Sequence, residues 1–369
     1  MKWDVASGNQ IPMGIADMDF RAAPVIIEAL RQRLDHGVFG YTDKTPALPE
    51  AVCEWTSARR GWDLDSTWVT TCSGVMPSIA HVLRSALQPG DGVIVHTPAF
   101  RPIVEAVLSN GLQVVENALQ LVDGRYEIDF DALRVAASGS DTKAFILCSP
   151  HNPSGRVWSK SELEEIAQIA RECDLIVISD EIHCEIVFPW AHFTTYAHVA
   201  HAGDRFVVCF GPSKGFNLAT LRMSVTAIPH DELREGFRRE LETVNADFGV
   251  NALGAVTMQA AYSSGGPWLD ALASYLERNL DTLTLGLGEL PKVRVVLPDA
   301  SFLVWLDCRE AELSDDELRR RFEDIAEVVV EPGISFGPSG SGFVRINIGT
   351  TNARVAEATE RIAAIATSW

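Results

Sequence analysis

An alternation constrains this chain more than any other feature. Five short apolar runs, at 92–96, 112–116, 143–148, 175–179 and 206–210, are separated by helical patterns around 75–88, 101–110, 129–138 and 159–173. Runs this continuous in apolar residues belong to strands covered on both faces. Strands that alternate with helices need crossover connections, and crossovers build a mostly parallel sheet. Ser159 and Glu162 have the spacing of a capping box at the start of the last of these helices. The C-terminal part is patterned differently. It predicts long helices over 230–248 and 266–289, strands at 293–297, 302–306, 327–330 and 342–348, and helices near 315–324 and 353–366. The expectation is an α/β large domain, its central sheet flanked by helices, plus a smaller α+β C-terminal domain. The first 20 residues have no clear home and could pack on either part.

Composition excludes some functions. The 369 residues carry 31 Lys and Arg against 50 Asp and Glu, a net charge of -19. That balance argues against nucleic acid or an anionic membrane as partner, although a local Arg or Lys can still hold a small anion. No apolar run approaches the ~20 residues of a membrane span. The N-terminus lacks the basic-then-apolar layout of a signal peptide, so a cytoplasmic location is expected. The seven cysteines are scattered, with no C-x-x-C pair. They are expected to be reduced thiols rather than zinc ligands. His192, His198 and His201 lack acid or thiol companions at ligand spacing, so no metal is expected.

In open α/β sheets ligands sit at the carboxyl ends of strands. Here the runs continue into Thr97-Pro98-Ala99-Phe100, Ser149-Pro150-His151-Asn152-Pro153, Asp180-Glu181-Ile182-His183 and Gly211-Pro212-Ser213-Lys214-Gly215. Lys214 is one of only six lysines. Partly desolvated at a sheet end, its amine would have a lowered pKa and could form a Schiff base. Asp180 closes an apolar strand and needs a partner, such as a protonated ring nitrogen. Asn152 is fixed between prolines. Thr71 to Val75 join a β-type run to a helix start that could receive a phosphate. Phe100 could stack on a planar ring. Each also has a plainer reading on its own: a surface lysine, an acid capping a helix or paired with Arg222 or Arg205, a turn asparagine, an ordinary N-cap, a core phenylalanine.

The order of these signals resembles fold-type I enzymes dependent on pyridoxal 5′-phosphate (PLP). Ala16-Asp17-Met18-Asp19-Phe20, His36 to Tyr41, Pro150-His151-Asn152-Pro153, Ser179-Asp180-Glu181-Ile182-His183 and Pro212-Ser213-Lys214 with Phe216-Asn217 are similar to the MalY/PatB-type cystathionine β-lyases, or C–S lyases. The resemblance implies a Schiff base at Lys214, which would also move the substrate Cα proton. It implies Asp180 on the pyridine nitrogen, Asn152 on the ring 3′-oxygen and Phe100 on the ring face. Gly74, Val75 and Ser213 would hold the phosphate, and Tyr41 would reach it from the partner subunit of a homodimer; Tyr41 joins Lys214 and Asp180 as catalytic, and with Asn152 it also joins the substrate-binding set. Arg345 would clamp the substrate α-carboxylate. His183 stands where many aminotransferases carry Tyr and joins the cofactor-binding set.

Some positions depart from the pattern. Phe100 replaces the usual Tyr, and Thr220 and Arg222 replace a Gly and a neutral residue. An Arg eight residues after the lysine is common in aminotransferases, where it binds the phosphate, so Arg222 is a cofactor-binding candidate too. The chain starts almost at Lys2-Trp3-Asp4, so the family's longer N-terminal extension is expected to be short or absent. The implied reaction is β-elimination of L-cystathionine or another L-cysteine S-conjugate. Aminotransfer on a small amino acid, or a specialised biosynthetic S-conjugate reaction, is the alternative. The expected division is 1–40 (an N-terminal segment packing with the small domain and the dimer), 41–262 (PLP-binding) and 263–369 (small domain).

Overall fold

The structure is a computed structural model. It describes residues 2–42, 46–244, 246, 250–288, 290, 292–367 and 369. After a two-residue strand β1 (Ile11–Pro12), two helices follow, α1 (Pro24–His36) and α2 (Ala47–Arg60). The alternating region then runs β2 (Val69–Cys72), α3 (Val75–Ala86), β3 (Gly92–Thr97), α4 (Arg101–Ser109) and β4 (Gln113–Ala118). A small hairpin, β5 (Gln120–Val122) and β6 (Arg125–Glu127), leads to α5 (Phe130–Ala137), β7 (Thr142–Cys148), α6 (Lys160–Glu172), β8 (Ile176–Asp180), β9 (Phe206–Phe210) and β10 (Ser224–Ala227).

The large sheet has the order β2-β10-β9-β8-β7-β3-β4. Its pairings are parallel except along β10, which runs antiparallel to both neighbours. β3, β7, β8 and β9 are almost wholly buried, as their uninterrupted apolar sequences require. Ser159 and Glu162 do close a capping box on α6. All five expected strands and all four helices of this region form, with ends shifted by a few residues.

Further on come α7 (Asp231–Thr243), α8 (Ala252–Ser264), α9 (Gly266–Leu287), β11 (Arg294–Val296), β12 (Leu303–Asp307), α10 (Asp315–Arg320), β13 (Val328–Val329), β14 (Glu331–Pro332), β15 (Phe343–Asn347) and α11 (Asn352–Ala366). The expected helix 230–248 is shorter. It ends at Thr243, and residues 245 and 247–249 lie outside the described ones, as does residue 289 at the end of the expected helix 266–289. The expected helix 315–324 gives way at Arg321 to one wider turn, Arg321–Ile325. The expected strand 327–330 shortens to Val328–Val329, which pairs in parallel with β1, and beyond it β14 joins the edge of the antiparallel sheet β11-β12-β15-β14. Pro332 has no N–H for a ladder, and an edge position tolerates that.

The interior is continuous across both sheets. Trp305 is fully buried and stacks on Phe343 with ring centroids 5.1 Å apart, and Trp55 stacks on Tyr262 at 5.2 Å. Each such ring contributes roughly 1.5–3 kcal/mol by leaving water. The first 20 residues pack on both parts. β1 pairs with β13, the Asn347 N–H of β15 donates to the Met13 carbonyl at 2.7 Å, and Met18 is tied to Asn217 in the turn after β9. Among the described residues, no helix is long and apolar enough to cross a membrane.

Candidate active site

A cleft of about 390 Å³ opens at the carboxyl ends of β2, β7, β8 and β9. Gly74, Val75, Phe100, Asn152, Asp180, His183, Ser213, Lys214 and Arg222 all line it. Every cofactor-binding candidate of the sequence except Tyr41 is thus in one place, because parallel strands deliver their following turns to the same edge. Ser73, from the foreseen stretch 71–75, lines it too; Ala16, Met76, Pro77, Cys148, Ile182 and Ala219 complete the wall and were not foreseen. Most are chain neighbours of the foreseen residues. Ala16 is not, and it comes from the N-terminal segment.

At one end of the cleft, α3 starts on Gly74 with no side chain capping it. Gly74 has φ +130°, a conformation closed to residues with a Cβ. The first N–H groups of α3 are therefore left to an outside acceptor, and the helix dipole favours an anion there. Ser73, Ser213 and Arg222 lie on the same wall. This donor set fits a phosphate group.

Asp180 is buried, and its Oδ1 accepts the Ile182 N–H at 3.1 Å. Burial pushes its carboxyl up to about 6, opposed by that N–H and by Lys214. Arg205 is bound instead to Asp174 at 2.9 Å, so Asp180 is not its partner. A protonated ring nitrogen would stabilise the Asp180 carboxylate. The Lys214 amine is half-buried and donates to the Ala16 carbonyl at 2.7 Å. Burial lowers its pKa, Asp17 and Asp180 raise it, and Arg345 adds to the lowering. A lysine so placed is a nucleophile and a base. His183 is driven down to about 3, first by burial and then by the Lys214 and Arg345 charges. Its ring is therefore neutral, and Nδ1 lies 3.1 Å from Ser301 Oγ.

Arg345 lies on β15, across the cleft's edge from the large sheet. It is buried, not the surface arginine of a plain strand. Nη1 donates to Asn152 Oδ1 at 2.9 Å and Nη2 to the Gly14 carbonyl at 3.1 Å, while Nε has no hydrogen-bond partner among the described residues. Burial pulls its pKa down to about 10. A buried guanidinium with donor capacity to spare suits a carboxylate ligand. Tyr41 is not brought into the cleft of its own chain. It is 90% exposed, beside Phe39, Thr42, Val250 and Leu253. Together the phosphate cradle, the buried acid and the depressed lysine fit PLP.

The comparisons with known proteins agree with this geometry. The family model for aminotransferase class I and II matches residues 8–362. Cystathionine β-lyase PatB of Bacillus subtilis is 40% identical, over 99% of this chain and 96% of that protein. Protein MalY of Escherichia coli is 32% identical, over 96% and 92%. Among solved structures, the PLP-bound C–S lyase from Staphylococcus hominis superposes with a TM-score of 0.90 at 30% identity, covering 96% of this chain and 91% of that one. A family model matched over nearly the whole chain, and relatives at 40% and 32% identity over almost all of it, mean that this protein belongs to the class I and II aminotransferase family, in its MalY/PatB-type C–S lyase branch.

Proposed function

We propose that the cleft performs PLP-dependent β-elimination on L-cystathionine or another L-cysteine S-conjugate, giving a thiol, pyruvate and ammonia. The observation that carries this reading is the convergence of Lys214, Asp180, Asn152 and the uncapped start of α3 on one cleft, with Arg345 held on Asn152. The relatives named as cystathionine β-lyase and C–S lyase support it.

Bound PLP supplies an aldehyde that condenses with an amine and a ring that accepts the electron pair left at Cα. Lys214 would carry the cofactor. Asp180 would keep its ring nitrogen protonated, Asn152 would hold the 3′-oxygen, and Phe100 would cover the ring face. Gly74, Val75, Ser213 and Arg222 would hold the phosphate, with His183 on the cleft wall. Arg345 orients the substrate through its α-carboxylate and so presents the Cα–H to Lys214. Lys214, whose burial favours the neutral amine, takes that proton. It can then return a proton to the departing sulfur. With one water consumed, the remaining carbons leave as pyruvate and the nitrogen as ammonia.

The protein acts in this reading as a cytoplasmic homodimer with its active sites at the interface. Val38, Phe39 and Tyr41 form an exposed apolar stretch suited to a partner subunit, and Tyr41 would reach the partner's phosphate site. Residues 1–40, 41–262 and 263–369 would be the N-terminal segment, the PLP-binding domain and the small domain. The test is product analysis of PLP-loaded protein with L-cystathionine and no α-keto acid, beside a Lys214→Ala control. Pyruvate, ammonia and homocysteine from the unaltered protein alone are expected. Turnover that waits for an α-keto acid would instead indicate an aminotransferase, the reading that Arg222 on the cleft wall favours.

A further inference from the structure

Asn217 has no task in the reaction described above, yet it is heavily engaged. It stands three residues after Lys214 with φ +57°, in the left-handed region. Its Oδ1 accepts the Met18 N–H at 3.0 Å, and its Nδ2 donates to the carbonyls of Met18 at 2.8 Å and Phe20 at 3.0 Å. The segment from Gly14 to Phe20 is neither helix nor strand. Backbone in such a place must find its partners elsewhere, and here side chains take its carbonyls in turn. Arg345 takes Gly14 at 3.1 Å. Asn347 takes Ile15 at 2.6 Å and Asp17 at 2.7 Å. Lys214 takes Ala16 at 2.7 Å. Two of these four side chains are the proposed base and the proposed carboxylate clamp. The other two are asparagines, Asn347 on β15 and Asn217 in the turn after β9, and Lys2 adds a bond to the Asp17 carbonyl at 3.1 Å.

We propose that Asn217 is a positioning residue for the elimination: by tying the strap 14–20 to the lysine turn, it sets the Ala16 carbonyl against Lys214 and the Gly14 carbonyl against Arg345. The inference rests on the C–S lyase reading of the cleft. The groups facing Lys214 give the direction of its effect. Asp17, on the strap, and Asp180, on β8, favour the protonated nitrogen. Arg345, on β15, opposes it, and His183 is neutral. Releasing the strap withdraws Asp17 and the Ala16 carbonyl and leaves Asp180 and Arg345 in place. The proton affinity at Lys214 then falls.

Asn217→Gly tests this, because glycine accepts the left-handed backbone while losing all three hydrogen bonds. Asn217→Ser is the second variant, should the first not fold. The measurements are amide hydrogen exchange over residues 14–20 with and without PLP, the pH midpoint of the visible cofactor band, and kcat and KM for L-cystathionine. Faster exchange at the strap is expected in both preparations. The band midpoint should move down by about half a pH unit or more, and kcat should fall roughly tenfold, with Asn217→Ser between the extremes. Unchanged exchange would overturn the proposal. So would faster exchange with midpoint and kcat unmoved, which would leave the strap a structural tie only. If the unaltered protein shows neither band nor keto-acid-independent turnover, the functional reading fails, and this inference falls with it.

Discussion

Two buried charged clusters flank the end of β8, and they are built on opposite plans. Behind the sheet, Glu181 Oε1 receives the Ser179 and Thr195 hydroxyls and the Tyr196 N–H at 3.1, 2.9 and 2.9 Å. Arg60 lies 2.6 Å from Glu185 and 3.9 Å from Glu181, with its guanidinium 4.2 Å over the Phe210 ring. Trp55 Nε1 adds a bond to Glu185 at 3.0 Å. There the charges close on one another. In the cleft, one residue earlier in the chain, Asp180 takes a backbone N–H, Lys214 gives to a backbone carbonyl, and Arg345 gives to an amide and a carbonyl. The first arrangement spends its charges on holding α2 to the sheet. The second keeps its charges apart, each held by backbone or amide groups rather than by an opposite charge, and so leaves them available to a ligand.

The contrast can be broken by experiment. Lys214→Ala should lower cystathionine turnover by roughly 10³-fold or more while the melting temperature holds, since the half-buried amine has no ion-pair partner among the described residues. Arg60→Met should do the reverse. It leaves Glu185 buried without its cation and should cost about 3 kcal/mol in urea unfolding, with the pH profile of kcat unmoved. Asp180→Asn keeps the shape and removes the charge, and turnover should fall by roughly 10²-fold.

A substitution read against pH brings out the two neighbouring acids, whose sign is opposite to that of the buried histidines His96, His151 and His183. Burial pushes Glu181 up to about 7 from an ordinary 4.5. Between those values the folded state holds a proton that the unfolded state releases. Its contribution therefore falls as pH rises through that window. Asp180 acts with the same sign between 3.8 and about 6. Glu181→Gln should flatten the loss of stability above pH 6, measured as urea midpoints on PLP-free protein. The smallest effect belongs to a change remote from both clusters. Ser159→Ala removes the α6 cap at a cost of about 1 kcal/mol and should leave kcat as it was.

Much of the site could be read from local sequence. Lys214, Asp180 and Asn152 stand within four residues of the end of an apolar run, so finding the strand found the residue. Elements without a local signal were missed. α1 and α2 follow Ala23 and Pro46 with no side-chain cap, so neither shows the usual start signal. α8 is apolar nearly all round, because it is covered by α1, α2 and α9, and so it shows no single face to read. β10, only four residues long, mixes Ser and Thr with Val and Ala. Tyr41, foreseen at the phosphate, stands on the surface of its own chain, away from the cleft.

By itself, then, the sequence determined the parallel sheet and the polar residues at its carboxyl edge. Apolar runs and the turns that end them are properties of short windows. The tertiary structure alone decided that Arg345 would rest on Asn152, that Arg60 would close on Glu185 125 residues away, and that the segment around Ala16 would cross the cleft to meet Lys214. Charges so far apart in the chain meet only through the packing of layers. A backbone carbonyl accepts a hydrogen bond whatever side chain stands beside it, so no residue type announces the strap.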